Sequence, residues 1–502
     1  MALISKTHSS GRLLSYIRSQ PVLGRLLHGA LWTLVGTAIS RIFSLVTSIG
    51  VARFLGKEDF GAYGILISTL ETFSFLGGLS LGFTMIKYTA EYRARDPVKA
   101  GQLLSSARTI AYVSAGTIAA GLFFFSDQLA ESTLNRPDLG GLLKIGAAYM
   151  FIRTVNNIQI GTLAGFEAFR ETAKINTVTG LLVPVLTLPL VYWLNLKGAV
   201  VALVVVAVVG YIYCGIVFKQ KCKNHGISVR LIDRSAFGAS RELFAFAIPA
   251  FLAYIVVVPA TWLTQALLAN QPSGYSELGL FNAANQWRQF VIFIPTMMSS
   301  VMLAISADSY ADGIGNKYRQ AYRINMQLTW GCALPVSVLV IALGDHLNHL
   351  FGEKYADAVV LIPPLIAGAF FSVLNTVASS AVTGAGRMWA EAVINLVWAI
   401  LLVGMSLWLV PSHGAKGLAY ASLIAPIGQI AVRLVYIEQV LIPNFLADFW
   451  KSAVLSIMTL GAVLILSWDA KLNIYWGVSL TVIGAMPLLV KVRKILSQDG
   501  VA

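Results

Sequence analysis

Long apolar runs recur along the whole chain, separated by short polar stretches that hold most of the charge. A bilayer core about 30 Å thick needs roughly 20 apolar residues to be spanned by a helix. Fourteen runs meet that need, over 29–52, 60–82, 103–125, 142–165, 175–194, 198–218, 243–268, 278–304, 323–344, 358–383, 389–410, 416–437, 450–468 and 473–490. Backbone groups in lipid must pair within their own segment, so each is expected to be a helix. The pattern predicts an all-α polytopic membrane protein of about 14 transmembrane helices.

Two of the runs resemble two others. GTLAGFEAFRETAKINTVTGLLV from Gly161 aligns with SSAVTGAGRMWAEAVINLVWAIL from Ser379, pairing Gly165 with Gly384 and Asn176 with Asn395. Gly198 and Gly417 pair at the same 219-residue offset. That offset spans six helices, so both copies keep one orientation, as in parallel-repeat transporters. The expected layout has a basic N-terminal segment at 1–27 and a first lobe at 28–218 (spans 1–6). A basic linker at 219–242 leads to a second lobe at 243–442 (spans 7–12), and 443–502 holds spans 13 and 14 with a tail. Residues 1–27 read equally as an interfacial helix or a disordered basic tail.

Composition fits this layout, with 57% hydrophobic and only 12% charged residues. The net charge of +14 does not point to nucleic acid, because the basic residues lie between spans. With the N-terminus inside, 25 of the 37 basic residues fall on inside segments and eight on outside ones. That bias predicts an inner-membrane protein with both termini in the cytoplasm. Cys214, Cys222 and Cys332 have no disulfide or metal spacing. No P-loop, nucleotide fingerprint or catalytic triad is present, so no cofactor and no enzymatic activity are expected.

Four basic residues remain inside spans: Arg41, Arg153, Arg288 and Arg433. A mid-bilayer arginine costs about 2.5–3.5 kcal/mol on insertion scales and normally faces a cavity or a partner. Arg41 shares span 1 with Thr33, Thr37, Ser40, Ser44, Thr47 and Ser48; small hydroxyls alone suit helix packing. Arg288 lies in span 8 with Asn282, Asn285, Gln286 and Gln289. Arg153 lies in span 4 with Asn156 and Asn157. Arg433 sits near a span end and is expected to snorkel to the interface. Span 10 adds Ser372, Asn375, Thr376, Ser379 and Thr383, suited to sugar hydroxyls or to helix packing. The one clear mid-span acid is Glu71, placed to pair with Arg41 or to couple a proton. Three arginines against one glutamate leave a positive interior that attracts anions. Guanidinium suits phosphate because its fork binds two oxygens.

The segment ARFLGKEDFGAYG at 52–64 resembles the junction between the first two spans of bacterial polysaccharide flippases. These are the Wzx-type O-antigen and exopolysaccharide repeat-unit transporters of the multidrug/oligosaccharidyl-lipid/polysaccharide exporter superfamily. GLSLGFTMIKYTAEYRA after span 2 and TGAGR at 383–387 strengthen the resemblance. It implies two six-helix lobes around a cationic cavity, moving undecaprenyl-pyrophosphate-linked oligosaccharides outward by alternating access, with coupling to H⁺ or Na⁺ open. It also implies membrane lipids, a polysaccharide polymerase and a chain-length regulator as partners. The related lipid II flippase uses arginines in its first and eighth helices, the spans of Arg41 and Arg288. A multidrug or cation antiporter of that superfamily, needing more intramembrane carboxylates, and a membrane-embedded polymerase or glycosyltransferase, needing acidic catalytic residues, are the competing readings.

Overall fold

The computed structural model describes residues 21–230, 237–310, 316–442, 454 and 456–462. Most of the N-terminal segment, part of the linker and nearly all of spans 13 and 14 lie outside the described residues. What is described is helical. Helix α1 runs Pro21–Gly78, α2 Leu81–Tyr92, α3 Pro97–Gln128, α4 Leu139–Gly165 and α5 Phe169–Asn224. Then follow α6 Phe237–Tyr254, α7 Val257–Ala269, α8 Gly274–Tyr310, α9 Asn316–Ala342, α10 Gly344–His349, α11 Ile362–Gly384 and α12 Met388–Tyr436. Among the described residues, seven helical stretches are long and apolar enough to cross a membrane. The chain is a multi-pass membrane protein.

Three helices are pairs joined by one residue. Helix α1 breaks at Gly56 (φ 74°, ψ 174°), a region open essentially to glycine. Helix α5 breaks at Asn195 (φ 49°, ψ −136°) and α12 at Gly414 (φ 54°, ψ −132°). A straight helix of the 58 residues of α1 would be about 87 Å long, nearly three bilayer cores. The chain turns back instead. A side chain on Gly198 would overlap the carbonyl of Leu190, and one on Gly417 that of Leu409. Residues eight apart in a continuous helix are about 12 Å apart, so these contacts require hairpins. The halves are called α1a and α1b, α5a and α5b, α12a and α12b.

The repeat is written into the turns. Asn195 and Gly414 are 219 residues apart and share one backbone conformation. So do Glu167 (φ 57°) and Gly386 (φ 71°), where Ala168 N–H donates to Leu163 O and Arg387 N–H to Val382 O. Earlier in each lobe the matching left-handed residues are Gly56 with Ser273 and Asn135 with Gly352, now 217 apart. Two residues were therefore gained in the second lobe between Gly352 and Gly386. That shift hides the first three helices of the repeat from a fixed-offset alignment.

Span 7 departs from the expected continuous helix. It breaks into α6 and α7 at residues 255–256, between Pro249 and Pro259. Proline lacks an N–H and disfavours the residues before it from continuing a helix. The Ala253 carbonyl at the break accepts from Asn395 Nδ2 of α12a at 2.8 Å.

Candidate functional site

The two lobes meet at one end of the bundle, where α1b and α8 begin. There Gly61 lies against the backbone of Tyr275 and Gly279, and Gly279 against that of Lys57. Only glycines allow this approach. One turn further, Gly64 packs against the Asn282 amide. Paired contacts flank the crossing. Arg53 Nε donates to Leu350 O at 2.9 Å, and Asn270 Nδ2 to Thr133 O at 2.8 Å; both partners are shifted by 217 residues between the two bonds. Tyr355 donates to Ala52 O and Tyr275 to Leu134 O. Arg136 sits over the Tyr275 ring and bonds Asp59 at 2.6 Å. Burial opposes its charge, but Asp59, Asp138 and Glu58 outweigh this and raise its pKa.

At the opposite, basic end, α2 and α3 meet α6. Tyr88 donates to Glu242 O at 2.8 Å, and Lys99 pairs with Glu242 at 3.0 Å. Bonds to Tyr92 and Glu242 raise the Lys99 pKa. Phe83 stacks on Phe246, and deeper in, Phe75 stacks on Phe251.

Between these ends lie the intramembrane charges. Glu71 is seven residues beyond Gly64, two turns down the same face of α1b. Counted from the glycine crossing, Glu71 and Arg288 lie about 15 and 14 Å along their helices, at a common depth. Glu71 does not pair with Arg41. Its partner is Arg153 of α4, at 2.8 Å, and Tyr149 donates to the same oxygen at 3.0 Å. The pair stays accessible, at 46% for Arg153 and 37% for Glu71. Asn156 and Asn157 follow on α4, the first half-buried and the second exposed.

The second lobe lacks this acid. By the 217-residue offset Arg288 itself stands where the repeat would place Glu71, and Ser372, counted back from Gly386, stands where it would place Arg153. Arg288 Nη2 reaches Ser372 Oγ at 3.5 Å, while its buried Nε has no partner. Among the described residues no carboxylate pairs with Arg288. Asn282, Asn285, Gln286 and Gln289 are half-buried beside it. Asn282 Nδ2, Asn285 Oδ1 and Gln265 Oε1 of α7 lack hydrogen-bond partners.

The polar stripe of span 1 divides between two faces. Gly36 packs on Ala173 and Ser40 on Gly180, so Ser40, Thr47 and Ser48 belong to the seam with α5a. Exposed Val35, Ile42 and Val46 mark the lipid side. Thr37, Arg41 and Ser44 point about 150° away from it. Arg41 and Ser44 are exposed, Thr37 is half-buried, and Arg41 meets no carboxylate among the described residues.

Arg433 corrects the sequence reading most sharply. It does not snorkel, being only 1% exposed. It pairs with Glu391 of α12a at 2.6 Å, and Glu391 is equally buried. Its other nitrogen bonds Asn375 through both the amide oxygen and the backbone carbonyl. Asn375 is thus part of a buried network with Pro426 O, not an open polar wall. Ser379 donates to Glu391, and Gln429 to Asn395, which holds the α6–α7 break. Glu71 is therefore not the only intramembrane acid. One signal for the pair was available in the sequence. Glu391 and Arg433 lie at similar distances before and after the Gly414 turn, so a hairpin brings them to one depth.

A family model described as polysaccharide biosynthesis protein matches residues 26–305, more than half of the chain. The chain belongs to the polysaccharide biosynthesis protein family. A second model, MatE, matches residues 249–408. No curated protein sequence matches. Among solved structures, the lipid II flippase MurJ in an inward closed conformation is similar at TM-score 0.71 and 14% identity. That match covers 94% of this chain and all of MurJ. A eukaryotic MATE transporter is similar at TM-score 0.67 and 16% identity, over 85% of this chain and 98% of that one. A MOP superfamily transporter from Pyrococcus furiosus, described as having a binding pocket of reversed polarity, gives 0.65 and 16%, over 88% and 96%. The fold of this family member is thus the one these flippases and transporters share. Among the described residues no three His, Cys, Asp or Glu side chains gather as a metal site.

Proposed function

We propose that the chain flips an anionic, undecaprenyl-pyrophosphate-linked oligosaccharide repeat unit from the cytoplasmic to the outer leaflet of the inner membrane. The reading rests on Arg41 and Arg288, two intramembrane cations without carboxylate partners among the described residues. A polyanion between the lobes would offset the cost of both, and each guanidinium offers two donors to phosphate oxygens. Thr37, Ser44, Asn282, Asn285, Gln286, Gln289 and Asn156 supply hydroxyls and amides for the sugars. The basic end is cytoplasmic by the positive-inside rule, which places the glycine crossing on the outer side. Alternating access then opens that crossing while the Glu242 contacts hold the other end. A deletion strain should accumulate the lipid-linked repeat unit facing the cytoplasm and lose surface polysaccharide. A strain that keeps its surface polysaccharide would overturn the reading.

Glu71 gives this cycle a coupling group. An anion docking on Arg153 competes with Glu71 for the guanidinium and frees the carboxylate. Glu71→Gln removes that competitor and should tighten binding of a polyprenyl diphosphate. Unchanged binding in that variant would remove Glu71 from coupling.

A further inference from the structure

At the basic end of the bundle, one carboxylate of the second lobe sits in a cradle built by the first. Glu242, in the second turn of α6, meets Lys99 Nζ of α3 through Oε2 at 3.0 Å. Its other oxygen, Oε1, accepts from the Tyr92 hydroxyl of α2 at 3.1 Å. Lys99 also donates to that hydroxyl at 2.8 Å, so the two donors hold each other in place. The Lys99 ammonium lies 4.2 Å over the Tyr92 ring, and Tyr92 stacks on Tyr88. Asp96 caps α3 by accepting from the Lys99 N–H, which fixes Lys99 in the first turn of that helix.

A cation in the first turn opposes the helix dipole, so helix stability does not account for Lys99. Nor does the ion pair itself. Lys99 and Glu242 are 35% and 36% exposed, and a pair that open to water contributes little. The surroundings are basic. Arg241 precedes Glu242, and Lys87 and Arg95 lie on α2 and in the turn after it. All three are exposed and meet no carboxylate among the described residues; Lys87 instead lies 4.4 Å over the Phe246 ring of α6. The remaining acids there are exposed Glu91 and the capping Asp96.

We propose that Lys99 and Tyr92 form an entry site for the phosphate of the lipid head group at the cytoplasmic mouth, and that Glu242 occupies it as a placeholder. The proposal rests on the flippase reading for its ligand and for its side of the membrane. A carboxylate and a phosphate each present two oxygens on one centre, so the same two donors serve either. A diphosphate carries more charge, and Lys87, Arg95 and Arg241 add attraction that one carboxylate leaves unused. When phosphate takes the donors, Glu242 loses both side-chain bonds to the first lobe and keeps only the backbone bond from Tyr88. Arrival of the cargo thus loosens the mouth that leads to Arg153 and Arg288.

The test uses the full chain in phosphatidylcholine nanodiscs with farnesyl diphosphate carrying a photoactivatable benzophenone. Adducts are expected on 83–99 and 241–246, and inorganic pyrophosphate should compete them away. Lys99→Met and Glu242→Gln break the same ion pair, so a merely structural pair would shift capture in one direction in both. The entry site requires opposite shifts. Glu242→Gln should raise capture by up to about fivefold, the strength of an exposed pair. Lys99→Met should lower it about tenfold, and Lys99→Arg should retain it. Capture that does not rise in the isosteric Glu242→Gln overturns the placeholder, whatever Lys99→Met does to folding. Phosphatidylglycerol competing as well as unlabelled farnesyl diphosphate would assign the site to bulk anionic lipid and overturn the entry role. Arg288→Ala separates this site from the central one. Normal export in that variant, with capture still dependent on Lys99, would overturn the central cationic site alone. Lost export there, with wild-type capture indifferent to Lys99 and Glu242, would overturn the entry site alone.

Discussion

Arg288→Ala is expected to abolish surface-polysaccharide export while the protein still inserts at its normal level. Arg288 Nε is buried without a partner, and the nearest polar contact is a hydroxyl at 3.5 Å. A hydrogen bond to a charged group contributes about 1.5–3 kcal/mol, and two such bonds to one diphosphate correspond to a loss on the order of a hundredfold or more in affinity. Removing a cation that no acid balances leaves no orphaned partner charge, so folding should not suffer. The effect thus separates from stability, unlike most intramembrane charge removals. Arg288→Lys should restore only part of the export, since an ammonium cannot hold two phosphate oxygens in a planar fork. Export and protein level measured together decide it. Normal export in Arg288→Ala would remove Arg288 from the site, and full rescue by lysine would remove the bidentate contact.

The sequence carried the helices because lipid leaves the backbone no alternative to internal pairing. It also carried the second half of the repeat, where Gly165/Gly384 and Gly198/Gly417 keep one offset. The first half was hidden by the two-residue gain between Gly352 and Gly386, which no single offset spans. The break of span 7 was marked by Pro249 and Pro259, but prolines are tolerated in membrane helices when neighbours satisfy the freed groups. The contact that satisfies the freed Ala253 carbonyl at this break comes from Asn395, 142 residues away.

Which arginine meets which acid was the least legible part. Neighbouring spans suggested Arg41 for Glu71, because helices joined by a short turn pack together. The structure instead turns Arg41 to its own face and brings α4 against α1b, so Arg153 takes the carboxylate. Pairing across non-sequential helices follows from lobe topology, which periodicity does not encode. Arg433 failed for the same reason. Its distance along the span suggested the interface, yet helices α11 and α12a enclose it. After these reassignments the first lobe holds a neutral Arg–Glu pair beside Arg41, and the second holds an Arg288 that no acid balances among the described residues. Arg288 and Ser372 stand at the positions of the missing pair. The two walls therefore differ at the level of Glu71 despite one fold, while each carries one cation without a carboxylate partner among the described residues.

Arg433→Met should destabilise the protein more than any other single change at these sites. Glu391 would then be a carboxylate at 1% exposure, with the Ser379 hydroxyl donating to one oxygen and the other already without a partner. Breaking a buried pair by removing one member costs about 3–5 kcal/mol, because the remaining charge is uncompensated. Asn375 would lose the cation its oxygens face, and Asn395 a second contact, so strain should reach the α6–α7 break. The expected result is a lower melting temperature in detergent and reduced membrane yield. Glu391→Gln alone should fall in the same range, since it strands the guanidinium instead. The double variant is the informative one. Replacing a whole buried pair with neutral side chains of similar size is often neutral or stabilising. Glu391→Gln with Arg433→Met should therefore recover most of the lost stability, giving a coupling of a few kcal/mol in a double-mutant cycle. Additive losses would mean that the two residues act independently, against the 2.6 Å contact. A stable double variant that still fails to export would give the pair a role in transport beyond folding, through the network in which Asn395 holds the α6–α7 break.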